Sequence, residues 1–153
     1  MKKNVKRLIS VLIMCAMMVM LGACGADKQE SVTCKTVQDG VNIEIKIDAT
    51  NDIITKWTQT SIISTDGYDE ATLAYLDQVI DATKEIYAAY DKVDYDMQKK
   101  DNSLVEVITI DMTDSATIKN LVDAGLLPVE GDASKLSLKL TVESLKSSGW
   151  TVE

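Results

Sequence analysis

The side chains in this sequence that could do chemistry are carboxylates and a thiol. Of 153 residues, 24 are Asp or Glu and none is His. The absence of His removes the commonest general base and the commonest metal ligand. The acids are concentrated: between residues 66 and 96, nine of them stand against Lys84 and Lys92 alone. Asp77 and Asp81, one helical turn apart, and Asp94 and Asp96, on one side of a strand, are the candidate acidic binding face for a cationic partner, peptide or metal ion. The plainer reading is a solvated surface that keeps the domain soluble. Asp94, Asp96 and Gln98 offer oxygens at alternate positions, but the Gly and the distal Glu of a calcium loop are missing. Cys34 precedes Lys35, yet neighbouring strand residues point to opposite faces, so the lysine is not placed to activate the thiol. The seven Gly are scattered, without the clustering a phosphate cradle needs, and no nucleophile motif stands in a framing context. The reading is of a chain without a catalytic set, a metal site or a cofactor.

A second chemical signal lies at the start. Met1 to Arg7 carries Lys2, Lys3, Lys6 and Arg7 and no acid, and Leu8 to Leu21 is then uncharged and apolar. That pattern is a secretory signal, and the run is too short for a comfortable membrane span. Leu21-Gly22-Ala23-Cys24 resembles the bacterial lipobox, an aliphatic residue, two small residues and a cysteine. The resemblance implies cleavage between Ala23 and Cys24 and transfer of a diacylglycerol to the Cys24 sulfur. One acyl chain holds only marginally, whereas two or three make the attachment effectively permanent. The expected organisation is a signal peptide over 1–23, a lipidated cysteine and flexible tether over 24–31, and one domain over 32–153. The expected location is the extracytoplasmic face of a bacterial cell membrane.

Loss of the signal removes those four basic residues and no acid, taking the formal net charge from −8 to −12. Such a domain repels nucleic acid and anionic headgroups, leaving the lipid as its contact with the membrane. Cys15 leaves with the signal and Cys24 becomes a thioether, so Cys34 has no partner for an intramolecular disulfide. Free cysteines are among the most buried residues, and burial is the reading preferred for Cys34.

These groups must be positioned by elements legible in the hydrophobic pattern. Val32 to Gln38 favours a strand. Asp39-Gly40 is a hairpin signal, and Val41 to Ala49 alternates cleanly with Val41, Ile43, Ile45 and Ile47 on one face. Ile53 to Ser64 completes a meander. Asp69 to Asp91 reads as a helix, with Asp69 as N-cap and Leu73, Leu76, Ile80, Thr83, Tyr87 and Tyr90 along its apolar stripe. Val93 to Lys99 and Leu104 to Met112 form a second hairpin. A short helix capped by Thr113-Asp114-Ser115 runs to Ala124, and a polar loop covers Val129 to Ser134. Residues 136 to 142 fit either a strand or a helix. A helix from about 137 to 148 is favoured because Gly149 suits its end. The order βββ-α-ββ-α-α predicts an α+β fold, an antiparallel sheet of about five strands in two hairpin groups with helices packed on one face.

The lipobox at Leu21 to Cys24, the meander opening at Val32-Thr33-Cys34, the central helix and the closing Leu136-Ser137-Leu138 through Ser148-Gly149-Trp150 together resemble the YehR-like bacterial lipoproteins, a family of unassigned function. The resemblance implies a small α+β lipoprotein domain and carries over no catalytic residue.

The expected function is a non-enzymatic binding or interaction module, anchored through its N-terminal lipid and presenting a sheet face or acidic helix to an envelope protein or small ligand. A structural or cation-buffering surface protein is the alternative. A carboxylate-based envelope hydrolase is a further one, and it needs two acids converging in a cleft.

Overall fold

The computed structural model describes residues 27–127 and 135–153. The signal segment, Cys15, Ala23, Cys24 and the loop expected over Val129 to Ser134 lie outside the described residues. Among the described residues there are six strands: β1 (Gln29–Gln38), β2 (Val41–Thr50), β3 (Ile53–Ser64), β4 (Val93–Lys100), β5 (Ser103–Asp111) and β6 (Thr151–Val152). The described helices are α1 (Glu70–Ala88), α2 (Ser115–Asp123) and α3 (Leu138–Ser147). The strands form one sheet in the order β4-β5-β3-β2-β1-β6, every neighbouring pair antiparallel.

Short turns set the meander. Asp39 and Gly40 both have positive φ (49° and 82°), as do Asn51 and Asp52 (52° and 67°). Two such residues match the twist of the strands they join. From β3 the chain crosses through α1 to β4, and β5 then returns between β3 and β4, giving a split β-α-β arrangement.

The alternation in the sequence becomes the division between core and solvent. Val41, Ile43, Ile45 and Ile47 of β2 are buried and the residues between them are exposed. Across the register, Cys34 faces Ile45, and Trp57 faces both Ile47 and Ile110. The buried side chains of all three helices join these in one core, so the helices cover one face of the sheet and the other face meets solvent.

The helices begin and end where local chemistry permits. Asp69 accepts the Thr72 N–H at 2.8 Å and caps α1. Asp114 caps α2 and Ser137 caps α3. At the end of α3, Gly149 (φ 86°) donates to Lys146 O and Trp150 to Leu145 O, both at 3.0 Å. That is a Schellman ending, which needs the left-handed backbone that glycine adopts without strain.

Three expectations change. The sheet has six strands rather than about five, because Thr151 and Val152 pair with Lys35 and Cys34. β1 starts at Gln29, not Val32, since Gln29, Glu30 and Ser31 pair with Thr50, Ala49 and Asp48. The side chain of Asn51 reinforces this start, accepting from Lys28 N and donating to Asp27 Oδ1. The central helix ends at Ala88, and Asp91 and Lys92 (φ 65°) turn the chain into β4. The ambiguous last segment is helical, with Leu138, Thr141 and Leu145 on its buried face.

Candidate functional site

The four acids singled out in the sequence do not share one surface. Asp77 lies on α1 and is ion-paired with Lys99 of β4 at 2.5 Å, while Asp81 is exposed on the same helix. Asp94 and Asp96 are on the opposite side of β4, because they alternate with Val93, Tyr95 and Met97, which pack towards the core. Asp96 accepts from Gln98 at 2.8 Å. Asp94 lines a shallow depression of about 430 Å³ with Thr55, Lys56, Lys92, Thr109 and Asp111. Among the described residues no group of acids and thiols is arranged to hold a metal ion.

Cys34 is fully buried in β1, beside Ile45 and Val152. Burial pushes its thiol pKa up, against the pull of the Lys146 charge. A thiol in that setting is packing, not a nucleophile.

Among the described residues the carboxylate with a raised pKa is Glu106, which the sequence pattern did not single out. It is 1% exposed, on the core side of β5 between the buried Leu104 and Ile108. Ser61 of β3 and Met97 of β4 flank it in register. Burial raises its pKa to about 7, while the Tyr95 and Ser61 hydroxyls act in the opposite direction. Those hydroxyls are near enough to bias ionisation, yet neither meets a carboxylate oxygen in hydrogen-bond geometry, and both oxygens lack a partner. The Ser61 hydroxyl itself receives the Gln59 amide at 3.4 Å. Above lies Tyr87 of α1, stacked on Tyr95 with ring centres 5.2 Å apart. Desolvation, then Glu106, push the Tyr87 pKa to about 12 and also raise that of Tyr95. The signal was present in the strand Leu104-Val105-Glu106-Val107-Ile108, where a glutamate occupies the inward register of an otherwise apolar face.

The face of the sheet that the helices leave uncovered carries exposed side chains from several strands. Val37, Asn42, Ile62, Val105 and Gln98 form one row across five strands. The next row contains Glu44, Thr60 and Val107. Val37 and Ile62 are 65% and 40% exposed. At one end a depression of about 650 Å³ is lined by residues including Lys35, Glu44, Thr60, Ile62 and Thr151. Lys35 is tied there to Glu153 at 2.7 Å and Glu44 at 3.6 Å. Among the described residues no helix is long and apolar enough to cross a membrane.

Comparison with known proteins agrees with this architecture. The chain is 28% identical over 150 residues to the uncharacterized lipoprotein Lmo0207 of Listeria monocytogenes, covering 97% of this chain and 96% of that one. It is 29% identical over 151 residues to the uncharacterized lipoprotein Lin0239 of Listeria innocua, with the same coverage. The NMR structure of Escherichia coli YehR superposes with a TM-score of 0.65 at 18% identity, over 84% of this chain and 93% of that one, and so shares the fold. A family model described as "Protein of unknown function (DUF1307)" matches residues 30–151. The chain therefore belongs to the DUF1307 family, the YehR-like lipoproteins of unassigned function that its layout resembles.

Proposed function

We propose that the protein is a lipid-tethered, non-enzymatic binding module on the extracytoplasmic face of a bacterial cell membrane, and that it meets a protein of the same envelope through the uncovered face of its sheet. The observation that carries this reading is the composition of that face. Val37, Ile62 and Val105 share one row near the turn end of that face, and Val107 stands in the next row with Thr60 and the ion-paired Lys35 and Glu44. Exposed apolar side chains bordered by charged groups suit a protein–protein contact. The lipid anchor is supported by the motif ending at Cys24, by the positive and apolar segment before it, and by the description of the Listeria relatives as lipoproteins. Hydrolysis by paired carboxylates has less support, because Glu106, the acid with the raised pKa, is sealed beneath α1 rather than facing a second acid in a cleft.

The test is mild cross-linking in native membranes, solubilisation, capture of the full-length tagged protein and identification of what comes with it. Wild type should enrich an envelope protein that an Ile62→Lys variant loses. No enrichment, or equal enrichment by both, overturns the reading.

A further inference from the structure

The two edges of the sheet are treated differently. At one edge β1 is partly covered by β6, and Thr33 exchanges backbone hydrogen bonds with Glu153 at 3.1 and 2.8 Å. At the other, β4 has β5 on its inner side, and among the described residues nothing pairs with its outer side. Asp111 N donates to Lys92 O at 3.0 Å, so the even-numbered residues of β4 bond to β5. The N–H and C=O groups of Val93, Tyr95, Met97 and Lys99 therefore point outward, a template for another strand.

The side chains say which strand fits. Proteins commonly guard an edge with charge, and an edge of one sign repels every copy of itself. β4 instead carries both signs on the side away from the helices, segregated: Asp94 and Asp96 in its first half and Lys100 at its end, all exposed, while Lys99 on the other side is ion-paired with Asp77. A basic strand would meet Lys100 and an acidic one those aspartates. A second copy running antiparallel satisfies both.

We propose that two copies of this chain pair through β4, antiparallel about a two-fold axis at Met97, to make one continuous sheet. Met97 then faces its own copy and Tyr95 faces Lys99, the residues whose backbone groups are free. Asp94 faces Lys100 and Asp96 faces Gln98 in the closer, non-hydrogen-bonded pairs, where side chains interact most strongly. A slip of two residues in one direction sets Asp96 against itself. A slip in the other withdraws Asp94 from the paired region and shortens the overlap to Asp96 through Lys100. The contact is isologous, and closes at two copies. The tether leaves from β1, separated from β4 by β2, β3 and β5, so it does not obstruct the edge. Anchoring both copies in one membrane raises their effective concentration. The pairing runs along the β4 edge, meets the face assigned above to an envelope partner at Gln98, and is tested separately from it.

The test uses the full-length lipidated protein in its membrane and a zero-length reagent that joins a carboxylate to an amine. Within one chain Asp94 and Lys100 are about 20 Å apart along an extended strand, so an Asp94–Lys100 cross-link must join two chains. Wild type should give a cross-linked dimer containing that link. Asp94→Lys and Lys100→Asp, each placing like charges opposite one another twice in the dimer, should each weaken association about 10-fold, and the two together should restore it. Both positions are exposed, so the variants, diluted to monomers, should keep the thermal midpoint of monomeric wild type. A wild type that remains monomeric at membrane density overturns the proposal. So does a dimer indifferent to either reversal, or a double variant that does not recover.

Discussion

Glu106 and Ser61 stand directly opposite each other on β5 and β3, on the face of the sheet that the helices cover, and neither carboxylate oxygen of Glu106 has a hydrogen-bond partner. A buried acid so placed is costly when charged and tolerable when neutral. Its folded pKa of about 7 lies above its ordinary value of 4.5. The folded state therefore holds the proton more tightly than the unfolded one, and stability falls as pH rises from about 4.5 to about 7. Glu106→Gln keeps the shape and removes the charge. At pH 8 the variant should be about 3 kcal/mol more stable than wild type in urea unfolding. The advantage should shrink towards pH 4.5. An advantage that does not change with pH would show that Glu106 does not titrate in this range.

Asp52 joins the β2–β3 turn to the start of α3. Its Oδ2 accepts the Ser137 hydroxyl at 2.7 Å and its Oδ1 accepts Lys139 N at 2.8 Å, while its backbone carbonyl accepts Leu138 N at 2.8 Å. Because Asp52 has φ +67°, glycine removes its side chain without backbone strain. Asp52→Gly should cost about 1–2 kcal/mol, as loss of a helix cap does. Asp52→Asn, which keeps an acceptor for Lys139 N and tolerates positive φ, should cost less than half as much. Urea midpoints at pH 7 distinguish the two.

Cys34 is buried and its thiol pKa is raised. A thiol reagent at pH 8 should leave it unmodified in the native protein and, with Cys24 blocked by the proposed lipid thioether, titrate one thiol per processed chain in denaturant. The native labelling rate should lie at least about 1,000-fold below that of an exposed thiol, because reaction waits for β1 to open. Rapid native labelling would place Cys34 at the surface.

The local structure of this protein follows from residues close together in the chain. Alternation through Val41 to Ile47 marks a half-buried strand whatever lies beside it, and Asp69, Asp114 and Ser137 cap helices through bonds to residues two or three positions away. Gly149 ends α3 for a reason confined to its own backbone. Other features depend on partners distant in the chain. Gln29 to Ser31 form strand only because Asp48 to Thr50 lie alongside, and Thr151 and Val152 become β6 only because Lys35 and Cys34 are there to pair with. The acids near residues 77–81 and 94–96 look like one cluster in sequence. The fold places them on opposite sides of β4, because α1 packs on one face and Asp94 and Asp96 point from the other. Inward placement of Glu106 was legible from its register, but the lack of a partner was not. That depends on how close Ser61 and Tyr95 approach from other strands, a distance set by packing rather than by any local pattern.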